Sequence, residues 1–478
     1  MIDYMQLLKV DLQGLYTDQL ERINKIIRWY EIYDGKQEWS TNEELDYKPT
    51  KKISNKIKEL IDKKARFMFG KEPYFNLKPI IADERGSTIN ADKAQAKEDL
   101  LYKILDSNKF HSKLLKARKD CSIGGKIAIK LWAQRDIGLK IVFSPAQEFI
   151  PFYDVDDVDN LYKIIFVYMV QDALEPAEQI IKKQTWEMIN GKCILNEGTY
   201  NGTGALLEAP FQNYNTGLDF IPAIIIQNGG LTGETEGRSD VELLWSNQDI
   251  YNRLTSDDID ALKFQMFGQN VFVDASEDSL KNIKIAPGAM IDLQSDISTE
   301  GKQAQANRLE SNFSYNDKFQ DTVNRIKNDM YDALSVPNIG LEQLKGLMQS
   351  GKSMKALYWD LISACEEDWT EWGPALEQMV DYIFKMVDVY NLYNARDIVR
   401  FDTTMTIEHT YPIPEDEADQ QRLDLEKVTA QVMSRKAFIK KWQDVEDVDA
   451  EMEQIATEQQ MLKDEFIQAA SNELNSGD

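Results

Sequence analysis

The block between Ser239 and Tyr393 constrains the fold more than any other part of the chain. The spacing predicts one helix from Asp240 to about Phe267, with Val241, Leu244, Tyr251, Leu254, Leu262 and Met266 on a single narrow stripe. Asn247, Gln248, Asp249, Asp257, Asp258 and Asp260 fall to its polar side. A second helix is expected over 314–335, with Phe319, Val323, Ile326, Met330 and Leu334 together. A third is expected from Ser353 to about Tyr393, interrupted at Gly373-Pro374, where the missing N–H and the ring clash kink a helix. Narrow apolar stripes on long helices predict packing beside copies of the same chain rather than a single-chain enzyme core.

The 478 residues allow two to four domains, and the 42% hydrophobic content is enough for real cores. The net charge of −26 argues against tight, static binding to phosphate backbones, although it permits DNA to slide past. The charge is uneven: Lys51 to Lys140 holds 22 Lys and Arg against 11 Asp and Glu, whereas Tyr411 to Asp478 holds 7 against 17. Each patch reads first as solvated helix faces. Cys121, Cys193 and Cys365 are too scattered for a zinc site or a disulfide framework, and His111 and His409 are too few for histidine catalysis. No nucleophile–base pair stands out, and Asp257, Asp258 and Asp260 read as a solvated helix face before a cation site. We therefore expect no catalytic, metal or cofactor residues. The longest apolar run, Ile164 to Val170, is too short to span a bilayer, and the N-terminus does not resemble a signal peptide.

Asp18 to Tyr33 reads as a helix with Leu20, Ile23, Ile26, Ile27 and Tyr30 inward; Asn55 to Phe69 reads as another. Lys78 to Gly86 reads as a loop, and Lys93 to Lys119 as one or two helices. The period then changes to two, giving strand candidates at 127–132, 139–143, 148–153, 162–170, 184–189 and 223–226, so the first half is α+β. Short strands are expected at 271–274 and 289–293, a polar connection at 295–308, and strand-like alternation at 397–407. Short acidic helices are expected over 415–468, with a disordered tail after them.

Gly346-Leu347-Met348-Gln349-Ser350-Gly351-Lys352-Ser353 spells G-x-x-x-x-G-K-S, the pattern of a phosphate-cradling loop. Its context is wrong. Pro337 to Lys345 follows a helix and is polar and glycine-broken, where a buried strand is needed. The pattern reads instead as a flexible loop whose Ser353 caps the next helix. Trp359, Trp369 and Trp372 read as core or subunit-contact residues, and Glu366, Glu367 and Asp368 as surface charge.

Several strings, in order, resemble portal proteins of tailed bacteriophages of the long-tailed siphophage type. Tyr30-Glu31-Ile32-Tyr33-Asp34-Gly35-Lys36 is similar to the aromatic-and-glycine end of the family's N-terminal helix. Asn55 to Gly70 with Glu72-Pro73 is similar to the helix leading to its G-x-P strand, with one extra residue. Gly237-Arg238-Ser239-Asp240, followed by Asp249-Ile250-Tyr251-Asn252, resembles the G-x-S-D start of the first stem helix. Ser350-Gly351 with Ala356-Leu357 resembles the S-G-x-A-L run after the tunnel loop, with extra residues between. Ser434-Arg435-Lys436 to Trp442, then Val445-Glu446-Asp447, resembles the C-terminal acidic helix, with Ala437 or Phe438 where a threonine is common.

The resemblance implies an α+β, mainly helical portal fold in a ring, usually of twelve copies, at one capsid vertex. Its parts would be a wing at 1–236, stem helices at 237–267 and 314–335, a clip at 268–313, a tunnel loop at 336–352, a kinked spine helix and wing return at 353–410, and a crown and tail at 411–478. Asn338, Gln343, Lys345, Gly346, Gln349, Gly351 and Lys352 would face the DNA channel; Gly373 and Pro374 would kink the spine. Val271, Phe272, Val273, Ala289, Met290 and Ile291 would form the clip where the motor and adaptors dock. The implied partners are double-stranded DNA, the terminase large subunit, head-tail adaptors, and major capsid and scaffolding proteins, with no membrane; the implied place is the virion, after assembly in the host cytoplasm. Two other readings remain open: a P-loop ATPase packaging motor, and a capsid scaffold or adaptor unrelated to DNA.

Overall fold

The computed structural model describes residues 16–40, 47–80, 87–134, 137–171, 179–201, 205–266, 270–273, 305–308, 316–339, 355–413, 417–430, 432, 435–442, 450–458 and 461. The chain divides into two units, Met1–Asn338 with Tyr358–Pro412, and Ile339–Leu357 with Ile413–Asp478. The fold is a mixture of helix and sheet, as the sequence pattern requires.

In the first unit, α1 (Tyr16–Tyr33) and α2 (Lys56–Phe69) precede β1 (Tyr74–Pro79). Strand β1 occupies part of what reads in sequence as a loop, and pairs with β12 (Thr403–Glu408) from near the other end of the unit. Helices α3 (Ser87–Ser107) and α4 (Phe110–Gly124) are separated at Lys109, which adopts a left-handed φ of 51°. Strands β2 (Lys126–Gln134), β3 (Gly138–Pro145) and β9 (Ala223–Gln227) form a three-stranded sheet in the order β3-β2-β9. Strands β4 (Phe149–Tyr153), β5 (Leu161–Gln171), β6 (Gln179–Ile189), β7 (Lys192–Tyr200) and β8 (Leu206–Asn215) form an antiparallel meander. All six strand candidates fall in these sheets. No strand was expected at β7 or β8; β8 is exposed along nearly its whole length and so lacks apolar alternation, whereas β7 alternates only over its first half.

Helix α5 (Asp240–Met266) is close to its expected bounds, but its buried face differs. Val241 and Leu244 are buried; beyond them the inward positions are Gln248, Asn252, Ser256 and Asp260. Leu262 and Met266, read as inward, are exposed. The reason lies in the segment running into α2. Thr50 N–H donates to Asp260 Oδ2 (2.8 Å), Lys52 N–H to Ser256 Oγ (2.9 Å) and Ser54 N–H to Asn252 Oδ1 (3.1 Å). Gln248 Oε1 accepts from both Lys56 and Ile57 N–H (2.8 and 3.2 Å), while its Nε2 donates to the Ser54 carbonyl (2.9 Å). Asn252 Nδ2 donates to Gln37 Oε1 at 2.6 Å. Alternate residues of the strap meet every fourth residue of the helix. Two extended residues advance about 6.6 Å, and four helical residues about 6.0 Å, so the registers match.

Helix α6 (Asn316–Ala333) packs Val323, Met330 and Tyr331 inward beside α5. Helix α7 (Trp359–Tyr390) runs unbroken through Gly373-Pro374; the interruption lies at Tyr358 (φ −96°, ψ 8°), and Asn391 in left-handed conformation ends the helix. A short helix, α8 (Arg396–Val399), precedes β12 where strand alternation was expected. In α1, Ile23 and Ile26 are buried but Ile27 is exposed. Strands β10 (Asn270–Val273) and β11 (Gln305–Arg308) pair with each other, so part of the expected polar connection is a strand; the expected strand at 289–293 lies outside the described residues. In the second unit, α9 (Glu417–Thr429) and α10 (Arg435–Trp442) are joined by Trp442 Nε1 donating to Asp424 Oδ2 at 3.0 Å. The expected tail after residue 468 lies outside the described residues.

If the strap holds α5, Gln248→Met will cost about 2–4 kcal/mol, because it strands buried backbone groups. Ser246→Ala, on the exposed side, will stay within about 0.5 kcal/mol. The measurement is the denaturation midpoint together with amide exchange at Lys56 and Ile57. Unchanged exchange in the Gln248 variant would remove the strap from the account of α5.

Candidate functional site

Of the candidate channel residues, only Asn338 lies within the described part; its Nδ2 donates to Asn328 Oδ1 on α6 at 2.8 Å. Gln343, Lys345, Gly346, Gln349, Gly351 and Lys352, with the whole G-x-x-x-x-G-K-S motif, lie outside the described residues. Of the candidate docking residues, Val271, Phe272 and Val273 lie on β10, with Val273 exposed; Ala289, Met290 and Ile291 lie outside. Gly373 is buried within α7, where an added Cβ would meet Trp369 Nε1 at 3.1 Å. A close fit to Trp369 therefore accounts for the glycine, and no break in the helix accompanies it.

The described residues instead gather where α2, α4, α5 and α7 converge. Gly125 (φ +80°) and Gly237 bring two backbones together there: a Cβ on Gly237 would lie 1.8 Å from the Gly125 carbonyl oxygen. That approach lets Asn228 N–H donate to the Gly125 carbonyl (2.8 Å) and Arg238 N–H to the Asn228 carbonyl (2.9 Å). Ser239, the next residue but one after Gly237, caps α5: its Oγ accepts from Val241 N–H (3.1 Å) and donates to the Ile123 carbonyl (2.6 Å). The Gly-Arg-Ser-Asp string thus starts the long helix at a point fixed to the end of α4.

Arg118 of α4 is wholly buried at this point. Its guanidinium donates to Asp368 (2.6 Å), Ser122 Oγ (2.6 Å) and Asn228 Oδ1 (3.0 Å). Lys64 of α2 lies 3.1 Å from the same Asp368 oxygen. Asn228 Nδ2 donates in turn to Asp240 Oδ1 at 2.9 Å. Asp368, read from sequence as surface charge, is the shared partner of two cations. Burial alone would raise its carboxyl pKa and lower that of Arg118; the ion pair reverses both, holding the carboxyl below its ordinary value and the guanidinium above. Burial pushes the neighbouring Cys121 and Cys365 thiols up to about 12, so they are poor nucleophiles. Spacing alone had no means of pairing Lys64, Arg118 and Asp368, which are far apart in the chain.

A second cluster sits at the edge of the first unit. Tyr358 and Tyr411 both stack on Phe67, at 5.5 and 5.1 Å between ring centroids and within 8° of parallel. These tyrosines stand next to the points at which the chain leaves the unit, 357/358 and 412/413. Tyr411 also donates to Glu366 (3.0 Å), and His409 stacks on Trp369 at 4.0 Å. Trp372 is buried while Trp359 is exposed, so the three tryptophans of α7 do not share one role. Asp260 is engaged by Thr50 and Lys263. Among the described residues, no group of His, Cys, Asp or Glu has the geometry of a metal site.

The sequence matches the family described as Phage portal protein, SPP1 Gp6-like, over residues 13–465. No curated protein matches it. Solved structures similar to it include a chain of the virion of a native gene transfer agent particle (TM-score 0.41, 8% identity, 85% of this chain and 89% of that chain). Another is from the neck of the native particle computed with C12 symmetry (0.41, 10%, 80% and 87%). A third is from the neck of the empty particle computed with C6 symmetry (0.44, 10%, 79% and 87%).

Asp368→Asn will leave Arg118 and Lys64 without their shared counter-charge and will destabilise the first unit by about 3–5 kcal/mol, against less than about 0.5 for exposed Glu367→Gln. Because the Asp368 carboxyl is held below its unfolded value, its contribution is present at neutral pH and is lost as the pH falls through and below the ordinary carboxylate range. Urea titrations across that range should show a shallower acid decline in the asparagine variant. Equal declines would contradict the assignment.

Proposed function

The chain belongs to the SPP1 Gp6-like family of phage portal proteins, a structural family, and on that premise we propose how this sequence builds the channel at the capsid vertex. About twelve copies close into a ring through one repeated, head-to-tail interface, and double-stranded DNA passes through it during packaging and ejection. The observation that carries the reading is the extent of the family match, which reaches from residue 13 to 465 of the 478 given.

Helices α5 and α6 serve as the stem. At 27 residues α5 is roughly 40 Å long, a suitable length for a channel wall. Leu243 and Ile250, exposed on α5, are the surface a neighbouring copy would cover. The residues between α5 and α6, with Val271, Phe272, Val273, Ala289, Met290 and Ile291, serve as the clip on which the terminase and later the head-tail adaptors dock. The strands and first helices form the wing, which meets capsid and scaffolding proteins; residues 411–478 form the crown. The segment from Asn338 to Lys352 faces the channel, where Lys345 and Lys352 touch phosphate in passing while the acidic remainder, within a net charge of −26, prevents DNA from being held. The protein is a conduit rather than a motor; it assembles in the host cytoplasm and remains in the virion.

Electron microscopy of the purified chain should show rings with a central hole wide enough for duplex DNA; a stable monomer at assembly concentrations would overturn the reading. Lys345→Glu combined with Lys352→Glu should leave rings intact and lower packaged DNA several-fold. Normal packaging by the double variant would remove these lysines from the mechanism. ATP hydrolysis by the purified ring that Lys352→Ala abolishes would favour the motor reading instead.

A further inference from the structure

A groove of about 530 Å³ lies where the end of β2, the face of the β6–β8 sheet and the end of α7 meet. Its walls include Trp132, Trp186, Phe211, Tyr214, Met386 and Val389, and among the described residues no charged side chain lines it, in a chain that is 28% charged. Aromatic and aliphatic walls of this extent left open on a protein surface mark binding sites.

Two polar features within the groove specify what fits. The first is Trp186, which is only 4% exposed and whose indole N–H has no hydrogen-bond partner among the described residues. A buried donor left unmade is costly, and it calls for an acceptor from outside. The second is the edge of β2. Strand β9 pairs with β2 only from Lys126 to Lys130. Leu131 N–H still donates to the Pro222 carbonyl on that side, at 2.8 Å. Strand alternation then turns the Ala133 N–H and C=O to the same side, where among the described residues no strand pairs with them, while β3 occupies the other edge through Gln134. Leu131, Trp132 and Ala133 all line the groove, so the open edge lies along it.

We infer that this groove binds an extended, uncharged peptide segment of another protein. The segment adds to the β2 edge at Ala133, offers a carbonyl to the Trp186 indole and places a bulky apolar side chain between Trp132, Phe211, Tyr214 and Val389. An open strand edge is matched by backbone, an orphan donor by a carbonyl, and a charge-free aromatic wall by an apolar side chain; an extended apolar peptide supplies all three together. A second copy is the poorer fit, because β8, which carries exposed Leu206, Leu207, Phe211 and Tyr214, is already the wall of its own groove.

The test uses a random heptapeptide display library selected on the full assembled chain. Enriched sequences should be uncharged and share a bulky apolar residue. Measured by fluorescence anisotropy, the enriched peptides should bind about tenfold more weakly to Trp186→Phe, which removes the donor and keeps an aromatic ring. They should also bind more weakly to Ala133→Pro, which removes an N–H that the β3 ladder does not use. Trp359→Ala, at an exposed tryptophan outside the groove, should bind normally. Hydrogen exchange on the unaltered protein supplies a readout that needs no variant: the peptide should protect the Ala133 amide, while that of Gln134, already in the β3 ladder, should change little. No enrichment of an apolar class, equal binding to both groove variants, or protection confined elsewhere would each overturn the inference. Loss of ring assembly in folded groove variants would also overturn it, by assigning the groove to a second copy.

Discussion

The long helix α5 is held by its polar residues, and much of the first unit depends on that. The strap from Thr50 to Ile57 would carry unpaired backbone groups into a protected position; Gln248, Asn252, Ser256 and Asp260 supply their partners. The match between two extended residues and four helical ones allows the pairing to repeat without strain. Through the strap, α5 is tied to the start of α2, and through Asn252 and Gln37 to the chain just beyond α1. The N-terminal end of α5 is fixed separately, by the Gly125–Gly237 approach and the Ser239 cap. A helix held at its start and at four rungs along one face has little freedom to rotate or slide.

This arrangement explains both what could be read from sequence and what could not. Element type followed from period: α5, α6 and the six strand candidates were legible because their apolar spacing is local. The inward face of α5 was not. Reading apolar as inward placed Leu262 and Met266 inside and Gln248 and Asp260 outside; the structure has the reverse, because the satisfying backbone lies about two hundred residues earlier in the chain. Asp368 was misread for the same reason: its two cations come from other helices. Strand β8 escaped notice because it is exposed on both faces, and a strand that buries nothing has no period. The G-x-S-D string was legible as a helix start, and its glycine has a clear physical cause in the close approach of two backbones.

The buried charges and the aromatic stack divide the work of holding the unit together. Arg118, Lys64 and Asp368 join three helices around one carboxylate, an arrangement that gives up solvation and recovers it through the ion pairs, with Arg118 Nε left unpartnered among the described residues. Replacing any member is therefore more costly than the worth of one contact. The stack of Tyr358 and Tyr411 on Phe67 is different in kind. It is partly exposed, has no charge to desolvate, and fastens two chain crossings to the same ring of α2. Phe67 thus links two points, at Tyr358 and Tyr411, where the chain leaves the unit.

The inversion of α5 bears directly on assembly. Its polar face is already saturated by the chain's own backbone, while Leu243 and Ile250 point away from the unit. Turning the helix to bury those side chains would break the strap, at about 1–3 kcal/mol for each buried polar group left unmade. Burying two leucine-sized side chains returns only about 1.5–3 kcal/mol each. With four polar rungs against two apolar side chains, the balance favours leaving the apolar side chains outward until another surface covers them. The same polar ladder that fixes the subunit therefore keeps its adhesive stripe on offer, and association in the proposed ring would require no rearrangement of the helix that carries it.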